Sequence, residues 1–201
     1  IIKYIDYNSI IGFIPGTGGV EFCFNQLIDK SCTIFGLQRV HTVTRIKEYG
    51  NIVMSQGKRK MLDVAAIPKN SIPMVKNLVE NLFNIPCATY DDYLNITLTP
   101  SNPILHTTRL YSIFRDYKEG DYYKENCFFY KEWDDFSSNI LIACDKEVQD
   151  ICIAMPEFNL IGVKSLLNHY EVNNEKEMTY KISNIPAFQN ILTPMIKICD
   201  E

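Results

Sequence analysis

The 201 residues are enough for one large domain or two modest ones, and the hydrophobic (46%) and charged (22%) fractions are ordinary for a globular protein with a sizeable core. A net charge of -4, with Lys and Arg scattered along the chain, argues against a nucleic-acid binder. We also expect no membrane span, no signal peptide, no zinc site and reduced cysteines in a cytoplasmic protein, because apolar runs are short and the seven cysteines never cluster with histidine.

A glycine-rich turn follows the first predicted strand. The apolar run at residues 10–14 is typical of a buried parallel strand, and it leads into the turn at residues 15–19 and an amphipathic helix. The apolar positions of that helix are Val20, Phe24, Leu27 and Ile28. Glycines between a strand and a helix let backbone N–H groups approach a ligand, so Gly16, Gly18 and Gly19 are candidate cofactor-binding residues. Backbone geometry alone is the alternative, because the turn is not G-x-G-x-x-G.

Further strands follow in the first half of the chain. Residues 32–37 are predicted to form a second buried strand, at a distance from the first that fits a β-α-β unit. Residues 42–47 and 52–55 flank Tyr49-Gly50-Asn51, which predicts a hairpin, and residues 60–67 predict another strand. These segments indicate the later half of a sheet-based domain.

A helix and a domain boundary come next. Asn70 or Ser71 is expected to cap the helix, with Pro73 in its first turn. Its apolar stripe consists of Val75, Leu78, Val79, Leu82 and Phe83. Strand patterns fade across residues 91–99, so we predict domains at residues 1–98 and 99–201.

The opening of the next helix brings three polar side chains together. Ser101 or Asn102 can cap it, and Pro103 suits the first helical position. Helical spacing puts Asn102, His106 and Arg109 on one face near an N-terminus that favours an anion. Such a face can bind a carboxylate, through Asn102 and Arg109, and move a proton through His106. The alternative is a partly buried His106 tied to a backbone carbonyl.

Helices are predicted for the rest of the chain. The polar, tyrosine-rich loop at residues 116–125 is expected to be exposed, and a long helix runs from about residue 132 to Pro156. Its apolar stripe consists of Phe136, Ile140, Leu141, Cys144, Val148, Ile151 and Cys152. The aspartates assigned to its solvated face are Asp134, Asp135, Asp145 and Asp150. Shorter helical segments are predicted near residues 163–170 and 174–183.

Two motifs together resemble the octopine/nopaline dehydrogenase family. Residues 15–21 are similar to its P-G-x-G-G-x-E turn, and Asn102-Pro103-Ile104-Leu105-His106 resembles the N-P-x-x-H motif that opens its helical domain. Three later stretches resemble the bacterial metallophore branch, the staphylopine-type dehydrogenases: His169-Tyr170-Glu171, Lys181-Ile182-Ser183-Asn184-Ile185 and Thr193-Pro194-Met195. The resemblance implies an α/β plus α fold, in which the later half of a Rossmann-like NAD(P)-binding domain precedes an all-helical dehydrogenase domain.

The resemblance also implies a reaction. The amine of an amino acid and a 2-oxo acid such as pyruvate form an imine, which a hydride from NADPH or NADH reduces, in an enzyme that forms a homodimer. His106 is then the general acid/base, in agreement with the pKa of an imidazole. Asn102 orients substrate or cofactor, and Gly16, Gly18 and Gly19 line the cofactor side of the crevice.

Two parts of the family pattern are not in this sequence. The G-x-G-x-x-G fingerprint is expected before Ile1, and the R-x-x-x-x-D segment that supplies a substrate-binding arginine and the aspartate partner of the histidine is expected after Met195. The chain is therefore interpreted as an internal piece of a longer protein. Because an unpaired imidazole loses its orientation and tuned basicity, little turnover is expected from these residues alone.

Two other functions stay open. A dehydrogenase of a 2-hydroxy or 3-hydroxy acid would keep the architecture but act on a single substrate. A non-catalytic metabolite-binding module would bind its ligand without reaction, and binding would survive His106→Ala. No metal site is expected in the chain itself, because the metallophore product chelates the metal.

Overall fold

The computed structural model describes residues 2–27, 32–99 and 101–198. The chain folds as two compact units. The N-terminal unit comprises Ile1–Pro100 with Cys152–Val163, and the C-terminal unit comprises Ser101–Ile151 with Lys164–Glu201. These units differ from the predicted domains chiefly in one segment, since Cys152–Val163 groups with the N-terminal half of the chain.

The N-terminal unit contains a mixed sheet and a separate hairpin. The strands of the described residues are β1 (Ile10–Phe13), β2 (Thr33–Leu37), β3 (Thr42–Glu48), β4 (Ile52–Lys58), β5 (Leu62–Ile67) and β6 (Cys87–Thr89). The sheet has the order β1-β2-β5-β6, and β3 pairs with β4 alone. Strands β1 and β2 are parallel, β2 and β5 antiparallel, and β5 and β6 parallel.

Helices α2 (Ile72–Phe83) and α3 (Leu94–Thr97) pack on the sheet, and helices make up most of the C-terminal unit. The helices of the described residues are α1 (Val20–Leu27), α2 (Ile72–Phe83), α3 (Leu94–Thr97), α4 (Ser101–Phe114), α5 (Asp135–Ala154), α6 (Leu166–Tyr170) and α7 (Glu175–Ser183). Short 3-10 turns cover Ile2–Tyr4, Lys69–Ser71 and Pro186–Phe188. Among all the described residues, no helix is both long enough and apolar enough to cross a membrane.

The predicted β-α-β unit is confirmed, with a parallel β1 and β2 joined through α1. The predicted hairpin is also confirmed, and Gly50 at its turn has a φ of +72°. The prediction that β1 is buried is wrong, because β1 lies at an edge of the described sheet and Ile10 is exposed. Ile28, predicted on the helix stripe, lies outside the described residues, as does the side chain of Leu27.

The core of the N-terminal unit lies between β2, β5 and α2. Helix α2 follows Ser71 and carries Pro73 in its first turn. It buries Ile72, Val75 and Val79 against the sheet. The predicted stripe of α2 is therefore wrong at Leu78 and Leu82, which are exposed.

The core of the C-terminal unit consists of Leu105, Phe129, Tyr130, Trp133, Leu141, Leu166, Met178 and Ile182. Helix α5 buries Ser137, Ser138, Leu141 and Asp145 against it. The prediction that Asp145 is solvated is wrong, because its Oδ2 accepts a hydrogen bond of 2.8 Å from the Leu166 N–H and the residue is 7% exposed. Ile151 of the predicted stripe is exposed.

Candidate functional site

Backbone contacts hold the glycine turn between β1 and α1. The Gly16 N–H donates to the Leu37 carbonyl at 2.7 Å, and a Cβ on Gly16 would lie 2.6 Å from the Cα of Gly36. Gly16 is therefore required by the close approach of two chain segments. Gly18 and Gly19 have φ values of +81° and +78°, which L side chains rarely adopt.

The same turn leaves open space around Gly18, whose N–H donates to the Thr97 carbonyl at 3.5 Å. A Cβ on Gly18 would meet no atom within 4 Å among the described residues. The carbonyl of Gly19 accepts the N–H groups of Phe22 and Cys23 and thereby starts α1. An open glycine turn that begins a helix fits one side of a dinucleotide, so the residues present are compatible with the cofactor. Binding by Gly16, Gly18 and Gly19 stays a prediction.

A buried carboxylate that sequence reasoning did not select follows this turn. Glu21 is 3% exposed, and the Thr97 hydroxyl donates to its Oε1. Among the described residues, Glu21 Oε2 and the buried Tyr93 hydroxyl have no hydrogen-bond partner. Burial is the main cause that raises the pKa of the Tyr93 hydroxyl, and the nearby Glu21 carboxylate raises it further. The signal in the sequence was the last position of the P-G-x-G-G-x-E pattern, which Glu21 occupies.

Helix α4 presents His106 with one ring nitrogen already engaged. His106 is exposed, but its Nε2 lies 2.9 Å from the Tyr130 hydroxyl oxygen, and its ring meets Phe129 edge to face at a centroid distance of 5.7 Å. The burial of this side of the ring lowers the pKa of the imidazole from its usual 6.5. The partner is therefore a phenol, not the backbone carbonyl of the alternative interpretation. The arrangement suits proton exchange at the other nitrogen, Nδ1.

Arg109 is not on the accessible face, although helical spacing predicted it there. It is 4% exposed, its Nε donates to the Phe129 carbonyl at 2.8 Å, and its Nη2 donates to the Phe128 carbonyl at 3.3 Å. Nη1 lies 3.5 Å from the Ser137 hydroxyl and 3.8 Å from Asp134. Burial lowers the pKa of the guanidinium, an effect that Asp134 opposes. This geometry corrects the premise of the substrate-binding prediction, because the side chain packs inward.

Asn102 shares the accessible side of α4 with His106. It is exposed on the first turn of a helix that begins at Ser101, so Pro103 is the third helical residue and not the first. The prediction that Asn102 caps this helix is wrong, because Asn102 is its second residue; Pro100 and the side chain of Ser101 lie outside the described residues. Of the three residues predicted to converge here, the structure keeps two on the surface.

Among the residues that the structure describes, the cysteines and acidic residues form no metal centre. In residues 2–27, 32–99 and 101–198, no group of three His, Cys, Asp or Glu side chains is placed to hold a metal ion. The free thiols are Cys23, Cys32, Cys87, Cys127, Cys144 and Cys152. Burial raises the pKa of the Cys87 thiol to about 11, so this thiol stays protonated and unreactive. Cys199 lies outside the described residues.

Comparison with known proteins points to one family. The family model described as NAD/NADP octopine/nopaline dehydrogenase, alpha-helical domain, matches residues 89–199. The uncharacterized protein y4xO of Sinorhizobium fredii (strain NBRC 101917 / NGR234) is 26% identical over 208 residues, which cover 95% of this chain and 55% of that protein. The chain thus spans about half the length of this curated relative.

Solved structures of octopine dehydrogenase have the same fold. The complex with NADH and L-arginine matches with a TM-score of 0.74 at 20% identity, and the complex with NADH and agmatine with 0.74 at 19%. The complex with NADH and pyruvate matches with 0.71 at 20%. The matches cover 98% of this chain and 52%, 52% and 51% of those chains, respectively. They confirm the α/β plus α architecture, with a partial Rossmann-like domain before a helical domain.

Proposed function

Because the chain belongs to the octopine/nopaline dehydrogenase family through its alpha-helical domain, we propose that the complete protein is an NAD(P)H-dependent opine dehydrogenase. The observation that carries the proposal is the exposed imidazole of His106, which lies in the N-P-x-x-H motif and within the matched residues 89–199. In the proposed reaction, the nitrogen of an amino acid attacks the carbonyl carbon of a 2-oxo acid. The carbonyl oxygen leaves as water, and the resulting imine is reduced to a secondary amine.

His106 moves the protons that this condensation requires. The neutral imidazole accepts a proton from the substrate ammonium, which frees the nitrogen lone pair for attack. The imidazolium then returns the proton to the hydroxyl group that leaves as water. The lowered pKa of His106 supports this role, because it keeps the ring neutral near pH 7.

Two further groups of residues support substrate and cofactor binding. The Asn102 amide, exposed on the first turn of α4, donates to a substrate carboxylate. The open backbone at Gly18, with Gly16 and Gly19 shaping the turn, holds NADPH or NADH. When bound, the nicotinamide supplies the hydride that reduces the imine.

We extend the proposal to the product and the assembly. The stretches around His169-Tyr170-Glu171 and Thr193-Pro194-Met195 support an opine metallophore of the staphylopine type. The resemblance to the family also supports a homodimer. A panel of amine substrates tests the first point, and light scattering of the complete protein tests the second.

The decisive experiment follows NADPH and NADH oxidation by the complete gene product at neutral pH. Pyruvate is supplied with a panel of amino acids, and His106→Ala is compared with His41→Ala, which removes an imidazole that stacks on Phe83 in the N-terminal unit. We expect oxidation to need both substrates and to fall by about 10²–10⁴-fold in His106→Ala alone. Oxidation with a single substrate would indicate a hydroxy-acid dehydrogenase. Ligand binding without turnover, unchanged by His106→Ala, would indicate a metabolite-binding module.

A further inference from the structure

We propose that Glu21 is a positioning residue for the cofactor: its carboxylate, bonded to Thr97, holds the glycine turn at residues 15–19 in the shape that accepts the dinucleotide. The inference rests on the proposed role of this turn in binding NADPH or NADH, and it deepens that role by naming what holds the turn. The observation that carries it is the hydrogen bond from the Thr97 hydroxyl to Glu21 Oε1, which joins the first turn of α1 to α3.

The Glu21 side chain is buried although the turn before it is open. The residue is 3% exposed and lies in the first turn of α1, where the positive end of the helix dipole favours a carboxylate. Among the described residues, the Thr97 hydroxyl is the hydrogen-bond donor to this carboxylate. An apolar side chain would cost less free energy to bury, so stability alone does not account for a carboxylate at this position. The bond to α3 gives the carboxylate a directional role.

A second hydrogen bond joins the same two segments. The Gly18 N–H donates to the Thr97 carbonyl at 3.5 Å, so Thr97 contacts this part of the chain through both its backbone and its side chain. Gly18 lies before the first helical residue, Val20, and Glu21 lies after it. Thr97 therefore fixes the chain on both sides of the point where the turn becomes a helix.

Helix α3 supplies a buried surface on which the turn lies. Ile96 is 0% exposed, and Tyr93, which precedes the helix, is 5% exposed. They form one buried cluster with Ala65 of β5, and Val20 packs against this cluster. A Cβ on Gly16 would lie 2.9 Å from the Tyr93 hydroxyl oxygen and 3.0 Å from Ile96 Cγ2. Helix α3 therefore also defines the path of the chain where the turn begins.

These contacts order the turn before a cofactor binds. The space that a cofactor needs is at Gly18, where a Cβ would meet no atom within 4 Å among the described residues. The ordering of a free loop upon binding costs conformational free energy and weakens affinity. Because Glu21 and Thr97 hold the turn in advance, this cost does not arise when the dinucleotide binds.

The test measures the dissociation constants of NADPH and NADH for the complete protein by calorimetry. Thr97→Val keeps the shape of the side chain and removes the donor, whereas Thr97→Ser keeps the donor. The matched control is Thr33→Val, which removes a hydroxyl that lies 3.3 Å from the Ser71 hydroxyl at the start of β2. Since β1 and β2 are parallel and the turn follows the end of β1, Thr33 lies at the opposite end of these strands.

We expect Thr97→Val to weaken cofactor binding about tenfold, and Thr97→Ser to bind within about threefold of the wild-type protein. Thr33→Val should bind as the wild-type protein does. Glu21→Ala should weaken binding as Thr97→Val does, whereas Glu21→Gln, which keeps an oxygen acceptor for the hydroxyl, should retain most of the affinity. Thr97→Val keeps the packing volume and carries the test if Glu21→Ala folds poorly.

A second measurement reports on the turn without any cofactor. Hydrogen exchange of the Gly18 amide should be faster by about tenfold in Thr97→Val than in Thr33→Val, because the turn opens more often once the side-chain bond is lost. Urea unfolding of both variants shows whether they are equally stable, so that a change confined to Thr97→Val is not an effect of global unfolding. An unchanged Gly18 exchange rate would contradict the proposal.

Three binding results would also overturn it. If the wild-type protein binds the cofactor and Thr97→Val binds equally well, or no worse than Thr33→Val, the positioning role is lost and the proposed function stays intact. If Glu21→Gln binds as weakly as Glu21→Ala, the charge acts on the cofactor and the bond to Thr97 does not. If the wild-type protein binds the cofactor but Gly18→Ala leaves binding unchanged, the proposed cofactor role of the turn fails, and this inference fails with it.

Discussion

The guanidinium of Arg109, a residue that is 4% exposed, donates hydrogen bonds to the backbone carbonyls of Phe128 and Phe129. Arg109→Met keeps most of the packing volume but leaves the two carbonyls unpaired. We expect the free energy of unfolding to fall by about 2–4 kcal/mol in urea titrations. The control is Arg115→Met, since the 41% exposed Arg115 side chain stacks on Phe136 at 4.0 Å and should cost less than about 1 kcal/mol. Equal losses would contradict the structural role of Arg109.

His106 has a pKa below its usual 6.5 because part of the ring is buried against Phe129 and Tyr130. The imidazole therefore stays neutral, and able to accept a proton, to a lower pH than a free histidine. We expect the imidazole of His106 in this chain to titrate with a midpoint below pH 6.5. Since the unfolded chain binds the proton more readily, the stability that this group contributes is lost as pH falls from 6.5 toward the folded pKa. An NMR titration midpoint at or above 6.5 would contradict this prediction.

Asp145 connects helix α5 to the start of helix α6, because its carboxylate accepts a hydrogen bond from the Leu166 N–H. Burial raises its pKa, so the stability that its protonated form contributes is present below the usual 3.8 and is lost as pH rises from 3.8 through the folded pKa. We expect Asp145→Asn, which keeps an oxygen acceptor and removes the charge, to have an unchanged or higher unfolding free energy at pH 7. Asp145→Ala leaves the Leu166 N–H unpaired and should lower it by about 1–3 kcal/mol. Urea unfolding of both variants measures the difference, and equal losses would show that the charge itself is required.

The turn between β1 and α1 requires glycine for two different reasons, a close backbone approach at Gly16 and a positive φ at Gly18. A Cβ on Gly16 would collide with the backbone of Gly36, whereas Gly18 has free space but a positive φ. We expect Gly16→Ala to cost about 2–3 kcal/mol of stability and Gly18→Ala about 1 kcal/mol. Gly50→Ala, with φ +72° at the exposed hairpin turn, is the matched control for Gly18→Ala. If Gly18 lines the cofactor, its variant also weakens NADPH binding by calorimetry, and equal binding in the two variants would contradict that role.

The sequence predicted the elements that have a clear period and missed those fixed by distant contacts. The β-α-β unit and the hairpin were recognisable from apolar runs and a glycine turn. Strand β6 was missed because Cys87–Thr89 is too short to show alternation. Asp145 looked solvated because no local pattern shows that Leu166 needs an acceptor.

In the candidate site, His106 was found through its motif, but Tyr130 was not, because it lies in an irregular segment 24 residues further along the chain. Arg109 was placed on the surface by helical spacing alone. Spacing defines which residues share a side of a helix, and it does not tell which way a long side chain bends. The carbonyls of Phe128 and Phe129 decided that direction.

At the scale of the whole chain, the N-terminal unit is not continuous in sequence. Asn95 accepts from the Gly162 N–H at 2.8 Å and donates to the Asn159 carbonyl at 2.8 Å, and Gln38 donates to the Gly162 carbonyl at 2.9 Å. A piece that ends at residue 100 loses these three hydrogen bonds and leaves Asn95 Oδ1 without its donor, although Gln38 Nε2 still donates to the Asn95 carbonyl and Asn95 Nδ2 to the Asp92 carbonyl. We expect it to unfold at lower urea than the same piece supplied with residues 152–163 through a flexible linker. Equal midpoints would show that the segment contributes nothing to this unit.

This interrupted unit also restricts how the family can exchange parts by recombination. A crossover near residue 100 delivers a foreign segment 152–163 to the N-terminal half, and only a segment with a glycine at the position of Gly162 fits, because a Cβ there would lie 2.6 Å from Tyr90 and 2.7 Å from Asn95 Oδ1. A chimaera that exchanges the helical half must therefore keep a glycine at position 162, a requirement that is separate from the residues that bind its substrate. Two crossovers that leave residues 152–163 with their original N-terminal half remove it.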